Sequence, residues 1–367
     1  MPKIACVMMQ KDEAFLLRPW LAYHGYLFGF ENLFVFDNGS ALPEVRATLS
    51  EFARKGVHVD WERDSRQDYL GKGDLIGARI ASLDATHEYD FLIPLDCDEF
   101  ILLRTEADFV CAREPILAHL TQLAGEKRIL RFPYQLANHP LDPDIYHRFD
   151  FFKVFFASGT SMPIDHGHHV TEYSPGMEIL ETRLVHLHFH YKVFDMKIRQ
   201  ARQSWVGTIN VDDREQLAAY NGPSAHLNRL LLQNKDQYYR DFLDKPHFYL
   251  PRFRALLAEL GAPLDLPVED VADHLRMHIS EADVSSKHDA NGVVVIVPAT
   301  AGSATAPAEF RATRFHERHY LNANPDLIGA GVDPTMHFCT SGFKEGRALR
   351  PTDATRTDSV VAAAIVS

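Results

Sequence analysis

The run Phe91-Leu92-Ile93-Pro94-Leu95-Asp96-Cys97-Asp98-Glu99-Phe100 decides the fold that the sequence predicts. Its first half is continuously apolar, as expected for a short strand that is covered on both faces. Two carboxylates, Asp96 and Asp98, follow directly at the end of this strand. Hard cations such as Mn²⁺ and Mg²⁺ prefer oxygen ligands of this kind. The alternative for an isolated Asp-x-Asp is a surface turn, but its position after an apolar strand favours a cation site.

Three similar apolar runs precede this strand, and segments with helical periodicity separate them. The alternation predicts βαβ units and a mostly parallel sheet. The predicted strands are Ile4–Met9, Leu33–Phe36, Val57–Trp61 and Phe91–Leu95.

Polar residues follow each of the four predicted strands. In open α/β sheets, ligands bind outside the carboxyl ends of the strands, so we expect the four loops to converge on one crevice. The alternative for any one loop is a solvated turn. The loops are Lys11-Asp12-Glu13, Asp37-Asn38-Gly39-Ser40, Glu62-Arg63-Asp64 and Asp96-Cys97-Asp98-Glu99.

Beyond residue 100 the pattern becomes mixed. Aromatic runs at Arg131–Tyr134 and Phe151–Phe156 predict antiparallel strands that extend the sheet. Leu227–Leu260 and Asp265–Ile279 have the periodicity of helices. We predict an α/β domain over 1–245, a helical extension over 246–297, a flexible linker over 298–309, a small helical module over 310–351 and a disordered tail over 352–367.

The composition limits the possible partners. The formal net charge of -12 argues against nucleic acid or an anionic membrane as a partner, since both attract basic surfaces. No apolar run approaches the roughly 20 residues that a membrane helix needs. The short apolar N-terminal run does not resemble a signal peptide. We therefore expect a cytoplasmic protein with at most peripheral membrane association.

Four segments in order resemble bacterial family 2-like and family 92-like glycosyltransferases. The corresponding patterns in those proteins are K-N-E, E-W-L-x-Y-H, D-N-G-S and D-x-D-E-F. This chain departs from them at Asp12, where Asn is usual, and at Pro19, where an acidic residue is usual. The resemblance covers roughly residues 1 to 205. The segments are Lys11-Asp12-Glu13, Trp20-Leu21-Ala22-Tyr23-His24, Asp37-Asn38-Gly39-Ser40 and Asp96-Cys97-Asp98-Glu99-Phe100.

The resemblance implies a GT-A fold, which is Rossmann-like with a mostly parallel central sheet and an antiparallel extension, plus a helical C-terminal region. It also implies an enzyme that moves a hexose from a UDP- or GDP-sugar to a glycan or lipid-linked glycan acceptor, with inversion, in bacterial surface polysaccharide synthesis. The nucleotide-sugar would be bound by Glu13, Asp37, Asn38, Asp64, Asp96 and Lys192. An alternative for Glu13 is a cap on the helix that follows it.

The resemblance also suggests a third ligand for Mn²⁺ or Mg²⁺, besides Asp96 and Asp98. Side chains alternate along a strand, so the three histidines in Val185–Lys192 share one face. The family's H-Y-x-x-K-S motif, aligned on Lys192, assigns His188 to the metal, with His190 as the second choice. The alternative is a polar sheet face.

The family's G-N-H segment resembles Asp165-His166-Gly167-His168-His169. An inverting transfer needs a base that takes the proton of the acceptor hydroxyl. Asp165, His169 and Glu99 are the candidates, and the sequence does not rank them.

Two other functions compete with this prediction. A sugar nucleotidyltransferase would need a glycine-rich loop after the first strand to bind triphosphate through backbone N–H groups, and Gln10–Glu13 contains no glycine. A noncatalytic protein that binds a nucleotide-sugar or a glycan stays open, because a fold alone does not establish turnover.

Overall fold

The computed structural model describes residues 1–106, 108–170, 177–205, 209–221, 226–278, 293–298 and 308–350. The strands are β1 (Ile4–Gln10), β2 (Leu33–Asp37), β3 (His58–Asp60), β4 (Phe91–Pro94), β5 (Glu99–Arg104), β6 (Phe109–Val110), β7 (Ile129–Phe132), β8 (Gln135–His139), β9 (Asp142–Phe149), β10 (Lys153–Ala157), β11 (Ile179–Glu181), β12 (Leu184–His188), β13 (His247–Tyr249), β14 (Met277–His278), β15 (Val293–Pro298) and β16 (Ala308–Phe315). The α-helices are α1 (Leu17–Phe28), α2 (Pro43–Arg54), α3 (Arg66–Leu70), α4 (Lys72–Asp84), α5 (Arg113–Gln122), α6 (Phe194–Ser204), α7 (Arg214–Ala219), α8 (His226–Leu232), α9 (Lys235–Arg240), α10 (Pro251–Glu259), α11 (Glu317–Ala323) and α12 (Pro334–His337).

The chain forms two compact units, each made of segments that are distant in sequence. The first unit comprises Met1–Ala137, Phe149–His190 and Leu250–Leu266, and the second comprises Asn138–Arg148, Tyr191–Tyr249 and Pro267–Ser367. Each unit therefore contains residues from both sides of position 245, where the predicted α/β domain ends.

A seven-stranded sheet in the order β11-β7-β10-β4-β1-β2-β3 forms the centre of the first unit. Strand β1 pairs in parallel with β2 and β4, and β3 pairs in parallel with β2. Strand β10 then runs antiparallel to β4 and β7. This arrangement confirms the predicted α/β class, with a mostly parallel sheet and an antiparallel extension.

The burial of the strands follows from their composition. Every residue of β1 is buried, as expected for a strand with helices on both faces. Helix α4 contributes Ile76 and Ile80 to a cluster with Val7, Leu92 and other strand residues. Helix α1 buries Trp20 and Tyr23, and the Tyr23 hydroxyl donates to the carbonyl oxygen of Ile101 at 2.6 Å. These contacts fix the sheet whose strand ends carry the polar loops.

The first unit contains further strands outside the seven-stranded sheet. Strand β12 pairs antiparallel with β5 and in parallel with β8, and β6 pairs antiparallel with β5. In the register of β12 and β5, His188 lies opposite Glu99 and His186 lies opposite Ile101. The strand of alternating histidines predicted over Val185–Lys192 is present only as far as His188, so His190 lies outside it, and the strand lies beside the acidic residues that follow β4.

The second unit combines helices α6 to α9 with an antiparallel set of strands. Strand β13 pairs with β9 and β15, and β15 pairs with β16. Tyr238 and Tyr239 of α9 form a buried cluster with Phe242, Val271 and Leu275. Among the described residues, no helix is long and apolar enough to cross a membrane.

The helix predicted over Asp265–Ile279 is wrong for the described residues. Residues 265–272 have no regular secondary structure, a 3-10 turn follows at Asp273–Leu275, and β14 ends the segment. Pro267 disfavours helix in the residue before it. The Glu269 carboxylate accepts from the backbone N–H of Phe194 at 3.0 Å and pairs with Lys235 at 2.9 Å, and these contacts tie the segment to residues distant in sequence.

The C-terminal region begins with strands and not with helices. Strands β15 and β16 flank most of the predicted linker 298–309, and they pair antiparallel, with Pro298 opposite Phe310. Residues 299–307 and the predicted tail 352–367 lie outside the described part of the chain. Helices α11 and α12 follow β16, and the Tyr320 hydroxyl contacts His337 Nδ1 at 2.9 Å.

Candidate active site

Polar loops follow four neighbouring parallel strands of the first unit. The strand order β4-β1-β2-β3 places the carboxyl ends of all four at one edge of the sheet. Gln10 at the end of β1 lies opposite Asp37 at the end of β2. The four polar loops therefore lie at the same edge of the sheet, as expected.

The Asp37 carboxylate is buried within this edge. One of its oxygens accepts from Gln10 Nε2 at 2.5 Å and from the Ser40 hydroxyl at 2.6 Å. Asn38 donates from its amide to the carbonyl oxygens of Arg63 and Ser65, at 2.7 and 2.9 Å. Asp37 and Asn38 therefore tie the loops after β1, β2 and β3 together.

The remaining residues predicted along this edge are more exposed. Glu13 is half-buried, and its backbone N–H donates to Gln10 Oε1 at 3.2 Å. Helix α1 begins after Leu16, which gives the helix no side-chain cap. Asp64 is exposed. A Cβ added to Gly39 would lie only 2.8 Å from the carbonyl oxygen of Asp64. The positive φ of Gly39, +69°, also favours glycine there.

Asp96 binds two lysines. Lys72 Nζ, at the first residue of α4, lies 2.7 Å from Asp96 Oδ1, and Lys153 Nζ, at the start of β10, lies 2.5 Å from Asp96 Oδ2. Both lysines are almost fully buried, whereas the Asp96 side chain is 27% exposed. Burial alone would raise the pKa of the Asp96 carboxyl, but Lys153 and Lys72 hold it well below its usual range. Asp96 is therefore ionised.

Glu99 lies behind Asp96 and is fully buried. Its carboxylate contacts Lys153 Nζ at 2.8 Å, and it accepts from Gln135 Nε2 and from the backbone N–H of Asp96, each at 3.0 Å. Burial alone would raise the pKa of Glu99, but Lys153 and His186 lower it. The ionised Glu99 side chain thus fixes the loop that carries Asp96.

Asp98, one of the expected cation ligands, pairs with His188, the third ligand that the resemblance implies. Asp98 Oδ2 lies 3.4 Å from His188 Nε2, and the backbone N–H of Phe189 donates to the Asp98 carbonyl oxygen at 2.8 Å. His188 Nδ1 lies 2.7 Å from Gln135 Oε1. Burial alone would lower the pKa of His188, but Asp98 raises it above its usual value.

A second group of possible cation ligands consists of Asp96, Glu99 and His168. Their ligand atoms lie within 4.8 Å of one another. His168 is fully buried, neither of its ring nitrogens has a hydrogen-bond partner, and burial lowers its pKa to about 3. His168 Nε2 lies 3.9 Å from Asp96 Oδ1, the oxygen that Lys72 also contacts.

Both groups combine carboxylate oxygen with imidazole nitrogen, which suits Mn²⁺. Asp98 and His188 place two such atoms close together in partly exposed positions. Asp96 has the same chemistry, but ammonium groups already contact both of its oxygens. A cation therefore fits at Asp98 and His188 directly, and at Asp96 in exchange for a lysine.

The loop around Asp165 packs on the first turn of α4. One Asp165 oxygen accepts from the backbone N–H groups of Gly167 and His169, both at 2.8 Å, and the carboxylate contacts His169 Nδ1 at 3.0 Å. Burial alone would raise the pKa of Asp165, but these bonds to His169 lower it. A Cβ on Gly73 would lie only 2.5 Å from the Asp165 carbonyl carbon.

Lys192, one of the residues expected to bind the nucleotide-sugar, lies in the second unit. Its carbonyl oxygen accepts from the Tyr238 hydroxyl at 2.6 Å. His190, the second choice for the metal, belongs to the first unit, where its ring lies 5.0 Å from that of His188 between centroids.

Sequence reasoning missed Lys72, Lys153, His168 and Gln135. Lys153 interrupts the aromatic run Phe151–Phe156, and a charged residue inside a buried strand signals a buried partner. Lys72 stands between two glycines at the start of a helix, where a cation opposes the helix dipole. No comparable signal marks Gln135.

No protein-family model matches the chain, and a comparison with curated proteins finds no match. Among solved structures, one of S. aureus TarS is similar at 10% identity and a TM-score of 0.30, and it covers 65% of this chain and 43% of that chain. A structure of S. aureus TarS 1-349 is similar at 12% identity and a TM-score of 0.29, and it covers 62% of this chain and 69% of that one. The chain thus spans less than half of the first of these. Likeness this low does not bear on activity.

Proposed function

We propose that this protein is a glycosyltransferase that moves a hexose from a nucleoside-diphosphate sugar to a glycan acceptor, with inversion. The observation that carries the proposal is the edge of the parallel sheet, where Asp96 and Asp98 follow β4 beside the loops after β1 and β2. Ligands of open α/β sheets bind at such an edge. The ordered resemblance of these loops to family 2-like and family 92-like enzymes supports the same assignment. A glycan or lipid-linked glycan used in surface polysaccharide synthesis is the proposed acceptor.

We propose that Asp98 and His188, together with Asp96 once a lysine has moved away from it, hold a divalent cation, Mn²⁺ or Mg²⁺. Such a cation stabilises the negative charge that develops on a leaving nucleoside diphosphate. Glu99 and Gln135 support the site from behind, because one holds the loop of Asp96 and the other contacts His188.

Asp165 and His169 are the proposed base. The carboxylate and the imidazole lie 3.0 Å apart, and their side chains are 45% and 23% exposed, so an acceptor hydroxyl has access to them. A carboxylate that orients an imidazole assists its action as a general base. Glu99 is the weaker candidate, because it is fully buried and contacts Lys153.

The proposal is tested by thermal unfolding with UDP or GDP, each with and without Mn²⁺. We expect a metal-dependent rise in melting temperature, since a ligand at about 100 times its Kd stabilises the folded state by about 2.7 kcal/mol. Asp98→Ala should abolish the rise. Glu114→Ala removes an exposed carboxylate from α5 and should retain it.

Turnover is tested separately by hydrolysis of a panel of UDP- and GDP-sugars. A sugar released only in the presence of Mn²⁺ or Mg²⁺, and not by Asp98→Ala, supports transfer chemistry. If a free oligosaccharide raises the melting temperature while neither nucleotide does, the protein is a noncatalytic glycan-binding protein and the proposal fails.

A further inference from the structure

The two oxygens of Asp96 have different surroundings. Oδ2 contacts Lys153, whose ammonium also contacts Glu99 Oε1 at 2.8 Å. Oδ1 contacts Lys72 at 2.7 Å and faces His168 Nε2 at 3.9 Å. The ammonium at Oδ2 therefore also contacts a second carboxylate, whereas Oδ1 has an imidazole on its other side.

Lys153 is held more firmly than Lys72. The Lys153 ammonium bridges two carboxylates, and its side chain is only 6% exposed. Removing it would leave the fully buried Glu99 without its cation, which is costly for a buried charge. Lys72 contacts a single carboxylate oxygen of a side chain that is 27% exposed. Lys72 can therefore leave without stranding a fully buried charge.

The Lys72 ammonium occupies the position that a cation would take. A divalent cation binds carboxylate oxygen at about 2.0 to 2.6 Å, depending on the metal, and its charge would repel an ammonium 2.7 Å from the same oxygen, so the two compete for Asp96 Oδ1. The four charged groups Asp96, Glu99, Lys72 and Lys153 sum to zero, and His168 is neutral. The site is thus balanced electrically when Lys72 is in place.

His168 indicates that the position is suited to a metal. Buried polar side chains usually have a hydrogen-bond partner, because an unpaired buried polar group costs free energy. His168, His186 and His247 each lack one at both ring nitrogens, and of these three it is His168 whose ring faces Asp96 Oδ1. His168 is fully buried, neither ring nitrogen has a hydrogen-bond partner, and its Nε2 faces the same oxygen as Lys72. An imidazole nitrogen near a carboxylate oxygen is a typical pair of ligands for Mn²⁺.

We infer that Lys72 is an exchangeable counter-ion of the donor site. Without donor, its ammonium neutralises Asp96 at Oδ1 beside His168. When a divalent cation arrives with the nucleoside diphosphate, the cation takes this position and Lys72 moves to a phosphate oxygen. The inference rests on the proposed function for the identity of the phosphate ligand, but not for the competition between Lys72 and the cation.

The test uses Lys72→Met, which retains the apolar stem and removes the charge. Mn²⁺ alone is titrated by electron paramagnetic resonance, and UDP and GDP are titrated by calorimetry at saturating Mn²⁺. We expect Lys72→Met to bind Mn²⁺ about tenfold more tightly and the nucleotide about tenfold more weakly, each equivalent to about 1.4 kcal/mol. A purely structural role of Lys72 would weaken both.

Three further variants complete the design. His168→Ala in the Lys72→Met background should return the Mn²⁺ affinity toward that of the wild type. Lys72→Arg should retain the nucleotide affinity within a few-fold, because the charge remains. Lys55→Met removes an exposed lysine that pairs with Glu51 on α2, and it should change neither affinity. Circular dichroism of each variant establishes that it folds.

An unchanged or weaker Mn²⁺ affinity in Lys72→Met overturns the inference, whatever the nucleotides do. Equal nucleotide affinity in the wild type and Lys72→Met also overturns it, because Lys72 then does not bind phosphate. If neither UDP nor GDP binds the wild type with Mn²⁺, the proposed function fails and so does the phosphate contact. The Mn²⁺ titration still decides the competition in that case.

Discussion

Replacing Lys153 with methionine should destabilise the first unit by about 3 kcal/mol or more. Lys153 is 6% exposed and contacts both Asp96 and the fully buried Glu99. Removing one partner from a buried ion pair typically costs about 3 to 5 kcal/mol, because the remaining charge loses its compensation. Glu99 retains Gln135 and the backbone N–H of Asp96, so we expect the lower end of this range.

The measurement is urea unfolding at pH 7, followed by circular dichroism and by the fluorescence of the buried Trp20. Glu99→Gln removes the carboxylate charge, and the double variant Lys153→Met/Glu99→Gln completes a cycle. We expect the double variant to be more stable than the sum of the single effects predicts, by at least about 1 kcal/mol, since the two residues are in contact. The exposed Lys55→Met should change stability by less than about 0.5 kcal/mol.

Two results would refute this reasoning about Lys153. A loss of less than about 1 kcal/mol in Lys153→Met would mean that its ammonium does not compensate a buried charge. Strict additivity in the cycle would mean that Lys153 and Glu99 do not interact.

Two other predictions follow from packing and from buried histidines. Gly73→Ala should lower the melting temperature by an amount equivalent to about 1 to 3 kcal/mol, because its Cβ would lie 2.5 Å from the Asp165 backbone. Gly77→Ala, on the same helix, is the control. Its Cβ would lie 3.6 Å from the Ile164 side chain, an ordinary contact distance, so the melting temperature should stay unchanged or rise. Burial lowers the pKa of His24 to about 3, below its value of about 6.5 in the unfolded chain. The unfolded chain therefore takes up more protons than the folded chain, and stability is lost as the pH falls below about 6.5. His24→Phe should therefore shift acid unfolding to lower pH, measured by fluorescence against pH, and the exposed His319→Phe should not; an unshifted midpoint in His24→Phe would contradict the proton uptake.

The sequence predicted the parallel half of the fold well, because its strands are continuous apolar runs that end in polar loops. Strand β1, for example, differs from the predicted Ile4–Met9 only by the addition of Gln10. The helix over Asp265–Ile279 was wrong because Glu269 bonds to residues far away in sequence, and these contacts outweigh local periodicity.

The candidate site was predicted only in part, for a related reason. His188 ends β12 and Asp98 lies in the turn before β5, which pairs with β12, and the resemblance supplied both residues as cation ligands. Lys72 and Lys153 reach Asp96 from α4 and β10, across 24 and 57 residues of sequence. No spacing rule brings such residues together, so the neutralisation of Asp96 becomes visible only in the folded chain.

Gln135 also determines which nitrogen of His188 is available to a ligand. Its amide nitrogen donates to Glu99, which can only accept, so its amide oxygen is the atom that faces His188 Nδ1 at 2.7 Å. That oxygen can only accept, and Nδ1 must therefore carry a hydrogen. The Asp98 carboxylate, 3.4 Å from Nε2, favours a second hydrogen there and raises the pKa of His188; in the neutral ring the hydrogen stays on Nδ1 and the lone pair is on Nε2. One buried amide thus sets the ring chemistry of the site before any ligand arrives.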